Sequence, residues 1–194
     1  YKTPEQVSYR QNIGVIDKAG VNIPEYEVVP PEYVKPFTEI LRKEGYYCAN
    51  NFKCDYQFNA PFTAWDEVSS SASFRDAPKD KPFFYVWNTL ITHESRIWER
   101  SNEPLTVDPD EVIIPDYFPD IPEVRMDIAR KYSNIEAMDK KVGELISQLE
   151  SDGLLEKTII MFWSDHGGNL LRQKRAVGNS GLHVPLIVRY PGKL

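Results

Sequence analysis

The chain has 194 residues, 41% hydrophobic and 27% charged, with a net charge of −6. A chain of this size buries roughly 70% of its unfolded surface, and 12% aromatic residues argue against disorder. Acids and bases are mixed along the chain, so there is no basic stripe for nucleic acid and no basic amphipathic anchor for a membrane surface. The most apolar run, Pro82 to Ile91, is about half the roughly 20 residues that a spanning helix needs. The opening segment is polar and does not read as a signal peptide.

Residues 1–35 are rich in proline and polar residues and read as an extended connection leading into an α/β body over 36–194. Pro36–Glu44 predicts a short helix, with Pro36 at its first turn and Gly45 as its stop. Tyr46–Cys48 suits a short strand. Cys48 and Cys54 do not have metal-site spacing and read either as two thiols or as a local disulfide. Residues 50–80 show no clear period and read as loop, with at most a turn of helix. The aromatic run Pro82–Asn88 predicts a buried strand. Pro104, Pro109, Pro115, Pro119 and Pro122 make 102–123 an extended surface segment, because each proline restricts itself and its predecessor.

The clearest helix follows. Ile128, Tyr132, Ile135, Met138, Val142, Leu145, Ile146 and Leu149 recur at steps of three or four, which predicts one apolar face. Gly153 is its expected left-handed stop. Thr158–Trp163 is a continuous apolar run, as expected of a strand covered on both faces of a parallel sheet. Pro185–Tyr190 predicts a last strand. Strand, helix and strand in this order imply an α/β fold with a mostly parallel sheet.

Four segments carry chemistry. Ser164-Asp165-His166-Gly167-Gly168 follows a predicted strand directly, where ligands bind in open α/β sheets. Asp165 and His166 there suit a metal corner; the alternative is an Asp that caps a turn beside a surface His. Arg172-Gln173-Lys174-Arg175 is a solvated face by itself, but next to that corner it supplies positive charge for an anionic substrate. Asn179 to Leu186 delivers His183 just before a strand, either as a site residue or as a structural one. Thr92-His93-Glu94-Ser95-Arg96 places His93 just past Pro82–Asn88. All 3 histidines therefore fall near predicted strand ends.

The order PFF-x-V-x-N…THE, the helix with Asp139-Lys140-Lys141-Val142-Gly143, then TII-x-FWSDHGG, R-x-K and SGLHVPLIVRYPGK resembles the sulfatases of the alkaline-phosphatase-like superfamily. The nearest members are bacterial enzymes acting on sulfated carbohydrates, including the heparan-N-sulfatase-like group. The resemblance is strongest over 81–194. It implies an α/β/α sandwich, here incomplete, and a calcium-dependent sulfuric ester hydrolase acting on glycosaminoglycan-like carbohydrates. It assigns calcium ligation to Asp165 and His166, and sulfate contacts to Lys174, which also reaches the scissile oxygen, and to His93. Phe52-Lys53-Cys54-Asp55 stands where relatives have Gly-Lys-Trp-His, so Lys53 matches a sulfate-binding lysine and Asp55 replaces a histidine. His183 stands where many relatives carry Arg, among the residues near substrate.

The family's nucleophile is a formylglycine made from Cys or Ser in a C-x-P-x-R-like or S-x-P-x-R-like motif. Neither motif occurs in these 194 residues, and it is expected upstream together with a pair of acidic calcium ligands. The expectation is a fragment that is inactive alone and marginal in stability. Secretion or periplasmic export is expected through the resemblance only. The competing readings are a phosphatase or phosphodiesterase of the same superfamily, with zinc at the Asp-His corner, and a remnant that binds anionic glycans without cleaving them.

Overall fold

The computed structural model describes residues 28–54, 56, 58–174 and 176–192. Most of the expected N-terminal connection, Asp55 and Arg175 lie outside the described residues. The chain divides into two compact units, Tyr1–Asn88 and Thr89–Leu194.

The first unit opens its regular structure with helix α1 (Phe37–Lys43). Pro36 precedes it, and Gly45 at φ 91° ends it, as the sequence predicts. Strand β1 (Tyr47–Asn51) follows. It is flanked by β2 (Glu67–Ser69) and β3 (Phe83–Val86), both parallel to it, in the order β2-β1-β3. Ala49 pairs with Glu67 on one side and with Tyr85 on the other. The α/β class and the parallel sheet are therefore present as expected. Strand β2 lies inside a region whose sequence reads as loop; three residues are too few for a period to show.

Cys48, Ala49, Ala64 and Phe74 form the buried centre of this unit. Phe74 stacks on Phe83 at 5.4 Å, and Phe84 meets Phe37 edge to face at 5.1 Å. Ring pairs in these arrangements add about 0.5–1.5 kcal/mol to the burial of their area. The 3₁₀ turn Phe74–Asp76 is held by a reciprocal box between Ser73 and Asp76. Neither cysteine is in a disulfide. Burial, with the Asp66 carboxylate as a second cause, pushes the Cys48 thiol up to about 11.

The second unit contains a one-turn helix α2 (Arg96–Glu99), the long helix α3 (Pro122–Ser151), strand β4 (Ile160–Trp163), the short helix α4 (Asn179–Leu182) and strand β5 (Leu186–Arg189). Helix α3 has 30 residues, about 45 Å at 1.5 Å per residue. Pro122 stands at its start and Gly153, at φ 68°, follows its end. No helix among the described residues is long and apolar enough to cross a membrane.

The buried face of α3 differs from the expected apolar stripe. Ile128 and Leu149 are buried, but Tyr132 and Ile135 are exposed, and Arg130, Ser133 and Asn134 are buried instead. These polar groups peg the proline-rich segment to the helix. The Arg130 guanidinium donates to the carbonyls of Ser101, Glu103 and Pro104. Ser133 Oγ accepts from the amides of Thr106 at 3.1 Å and Val107 at 3.3 Å. Prolines deprive a segment of regular partners, so its remaining backbone groups need side chains to satisfy them. The region 102–123 is therefore an anchored strap. Apolar residues of the strap, Leu105, Val107, Val112 and Ile114, pack against Ile128 and Ala129.

Strand β4 also departs from expectation. It pairs with β5 antiparallel, Met161 opposite Val188 and Trp163 opposite Leu186. Met161 is 57% exposed and Trp163 55%, so neither is covered in the manner of a central parallel strand. Composition marks a strand but does not set the direction of its partner, which returns here after a long connection containing α4.

Candidate functional site

Several sequence-predicted site residues meet in the second unit, around the segment that leaves β4. Ser164 Oγ donates to His166 O at 2.5 Å and closes the first turn after the strand. The chain then packs on itself through glycines. Gly167 N donates to Gly181 O at 2.9 Å, and a Cβ at Gly167 would lie 1.9 Å from Ser180 O. A Cβ at Gly181 would lie 2.0 Å from Ala176 O. Both positions need the missing side chain for space. Lys174 N donates to Gly168 O at 2.8 Å, which folds the Arg172–Lys174 stretch back over the glycines. Arg172 takes up a left-handed φ of 64° at this reversal, a conformation uncommon outside glycine.

Gln173 is the pivot of this fold-back and is 9% exposed. Its Oε1 accepts from Lys131 Nζ on α3 at 3.0 Å, and its Nε2 donates to Tyr117 OH at 3.3 Å. Burial lowers the pKa of Lys131. With the side chain of Gln173 held from both ends, its neighbour Lys174 is carried to His93, 81 positions earlier. Lys174 Nζ lies 3.4 Å from His93 Nε2 and 3.2 Å from Glu94 Oε1. Lys174 and Glu94 are 20% and 22% exposed, so their attraction is less screened than that of a surface pair.

His93 is set by its own turn. Its N–H bonds to Leu90 O at 3.1 Å, and Arg96 N donates to its carbonyl at 2.9 Å. Ring Nδ1 is 3.1 Å from Ser95 Oγ, and the Ser95 amide points to the same nitrogen at 3.3 Å. Asn134 on α3 donates to Arg96 O at 3.3 Å, and Asn169 donates to Thr92 O at 3.4 Å. Helix α3 thus holds the 92–96 turn directly and the Lys174 loop through Gln173.

Asp165 and His166 lie together after β4, Asp165 Oδ2 3.6 Å from His166 Nε2. His166 Nδ1 is 2.7 Å from Gly167 O. A carbonyl only accepts, so Nδ1 must carry the proton, which leaves a lone pair on Nε2 in the neutral ring. That lone pair and the Asp165 carboxylate face one another, an arrangement that a cation stabilises. A metal-ligating His often donates its other N–H to a backbone carbonyl in this way. The buried Oδ1 of Asn169 has no hydrogen-bond partner among the described residues and adds a hard oxygen to the same loop. Asp165 suits calcium, whereas the nitrogen of His166 suits a softer divalent ion better. No group of three or more His, Cys, Asp or Glu side chains placed to hold a metal occurs among the described residues.

The other two expected site residues are His183 and Lys53. His183 ends α4 with its amide on Asn179 O at 2.8 Å, and its side chain is exposed. No hydrogen bond or ion pair among the described residues joins it to Lys174. Lys53 belongs to the first unit, where Phe52, at φ 57°, turns the chain just beyond β1. Lys53 N bonds to Asn51 O at 2.8 Å and Asn50 Nδ2 bonds to Lys53 O at 2.9 Å. Asn88 Nδ2 donates to Asn50 Oδ1 at 2.8 Å and ties the ends of β1 and β3 together. Lys53 thus sits at the carboxyl ends of parallel strands. The sequence reading did not single out Glu94, Ser95, Gln173 or Lys131. For Glu94 and Ser95 the available signal was closeness to His93, and for Gln173 adjacency to Lys174; Lys131 has none, since only the fold brings it to Gln173.

Comparison with known proteins gives the sequence a family. A sequence model of the sulfatase family matches residues 43–194. The chain is 42% identical over 207 aligned residues to an ulvan-active sulfatase of Formosa agariphila, an alignment that covers 89% of this chain and 35% of that protein. It is 32% identical over 88 residues to human N-sulphoglucosamine sulphohydrolase, covering 45% of this chain and 18% of the relative. It is 42% identical over 74 residues to chicken arylsulfatase K, covering 36% and 14%. The chain thus spans about a third or less of the length of these relatives.

Proposed function

As the chain belongs to the sulfatase family, we propose that it forms part of the active site of a sulfuric ester hydrolase acting on sulfated carbohydrates. The observation that carries this reading is the meeting of His93, in the 92–96 turn, with Lys174, from the loop that follows Asp165 and His166. The similarity to an ulvan-active sulfatase and to an N-sulphoglucosamine sulphohydrolase supports a carbohydrate substrate.

Hydrolysis of a sulfate ester breaks the S–O bond and leaves the electron pair on the sugar oxygen. That oxygen needs a proton or a positive charge as the bond breaks. His93 and Lys174 supply both: His93 Nε2 as proton donor, and the Lys174 ammonium as charge beside the scissile oxygen and the sulfate. Lys53 neutralises nonbridging oxygens from the end of β1. Asp165 and His166 would hold a divalent cation, calcium in the family, which would supply Lewis-acid polarisation of the sulfate group. His183 contributes to the substrate side of the site. The attacking group, a formylglycine in the family, comes from outside these 194 residues, and so does the remainder of the coordination shell. The isolated chain accordingly releases no sulfate. The whole protein works outside the cytoplasm, where sulfated polysaccharides are met.

The test is sulfate release from ulvan by the product of the full reading frame that encodes this chain. Lys174→Ala is expected to lower turnover about 10²–10⁴-fold, the usual range for a lost acid-base or charge-stabilising group. Turnover of phosphate esters in place of sulfate esters would overturn the reading, and so would an unaffected Lys174→Ala variant.

A further inference from the structure

We propose that Arg172, seated on the ring of Tyr117, is a subsite for a second anionic group of the substrate, on the sugar next to the one that is cleaved. The inference rests on the sulfatase reading above and names the kind of chain it would act on, one in which the scissile sulfate has a charged neighbour. Arginines of this chain ordinarily find a carboxylate: Arg42, Arg96, Arg100, Arg125 and Arg189 each pair with an Asp or Glu. Arg172 instead lies over an aromatic face, its Cζ 5.4 Å from the centre of the Tyr117 ring. Attraction to a ring face uses the charge of the guanidinium and none of its N–H donors. Among the described residues no carboxylate and no carbonyl accepts from these donors. A planar fork of open donors is what a carboxylate or a sulfate completes with two parallel hydrogen bonds.

The surroundings hold this pair in place. Arg172 keeps the left-handed φ of 64°, and Ser180 Oγ donates to its carbonyl. The buried Gln173 follows and donates from Nε2 to the hydroxyl of the same Tyr117 at 3.3 Å. Tyr117 thus meets both residues, Gln173 at its hydroxyl and Arg172 at its face, and it packs against Phe118 at 4.7 Å. Tyr117 is 38% exposed and Arg172 is exposed, so a ligand can reach both. A guanidinium already resting on a ring has less freedom to lose when an anion binds. Lys174 stands two positions further on, its α-carbon at most about 7 Å from that of Arg172. The two cations flank Gln173 and divide the work. Lys174 is engaged with His93 and Glu94 at the bond to be broken, and Arg172 recognises the neighbouring sugar. A contact remote from the breaking bond is the same before and in the transition state, so it lowers KM and leaves kcat alone.

The experiment measures kcat and KM of the full-length protein for ulvan oligosaccharides and for 4-nitrophenyl sulfate, which has no second anionic group. Arg172→Met is expected to raise KM for the oligosaccharides about 10–100-fold, the worth of hydrogen bonds to a charged group, with kcat within about threefold. For 4-nitrophenyl sulfate, KM (or the inhibition constant, where it is not hydrolysed) should rise by no more than about threefold. Arg172→Lys keeps the charge without the fork and should recover part of the loss. Tyr117→Leu and Tyr117→Phe both lack the hydroxyl, so the further rise in KM of about 2–5-fold expected in Tyr117→Leu reads the ring alone. Oligosaccharides whose carboxyl groups have been reduced to alcohols distinguish the source: an Arg172 effect that vanishes assigns a carboxylate, and one that persists assigns a second sulfate. An unchanged KM for the oligosaccharides in Arg172→Met would overturn the subsite and leave the sulfatase reading standing. A loss of the same size on 4-nitrophenyl sulfate, or a loss confined to kcat, would do so too. A wild type that releases no sulfate would overturn the catalytic reading, and calorimetric affinity for the oligosaccharides with and without Arg172 would still decide the subsite.

Discussion

The two units hold their functional ends by different means. In the first, Lys53 is placed by a parallel sheet whose core is aromatic and aliphatic, with Phe74 and Cys48 at its centre. In the second, His93 and Lys174 are placed by polar side chains of α3 and by glycine packing. Apolar packing is tolerant of detail and is legible as a pattern. Polar placement is directional, so each peg has one geometry, and losing a peg leaves a group unsatisfied.

The largest effect expected from breaking this contrast lies in the first unit. Phe74→Ala removes its central ring and should cost about 3–5 kcal/mol. Hydrogen exchange should rise at the amides of β1 and β3 while the 101–107 strap stays protected. In the second unit, Arg130→Met should cost about 2–3 kcal/mol, because carbonyls of Ser101, Glu103 and Pro104 lose a charged donor. Exchange should then rise in the strap and spare β1. Gly181→Ala should cost about 1–3 kcal/mol, since its methyl would meet backbone at Ala176, and turnover should fall with it. Equal protection changes in both units for any of the three would contradict the division drawn here.

A smaller effect separates the units by pH. The Cys48 thiol is pushed up to about 11 and the Tyr47 hydroxyl to about 12, each mainly by burial. Raised pKa values mean that the folded form keeps protons that the unfolded chain gives up. Stability therefore declines as pH rises from the unfolded value of Cys near 9 toward 12. Denaturant titrations between pH 8 and pH 11 should show the loss in the first unit, with Cys48 slow to react with iodoacetamide until the decline begins.

Much of the fold was legible. Pro36 and Gly45 bracket α1, the aromatic run marks β3, and Gly153 closes α3. The buried face of α3 was not, because periodicity ranks residues by hydropathy, whereas Arg130, Ser133 and Asn134 are buried as hydrogen-bonding pegs. The antiparallel pairing of β4 and β5 was also hidden, since the same apolar residues suit either direction. Of the site, His93 and Lys174 came from motif order. Glu94 and Gln173 required the fold, because their importance lies in what they touch.

Gly168 has a consequence for how this site can drift. A methyl there would fall 2.1 Å from Gln173 Oε1 and 2.6 Å from Lys131 Nζ, so the amide and ammonium tips occupy the space that alanine would claim. Both tips are flexible, and either can be shortened. Alanine at 168 is therefore met by movement of these tips, at the expense of the Lys131–Gln173 hydrogen bond. A library randomising the three positions together should return alanine at 168 more often beside a shortened residue at 131 or 173.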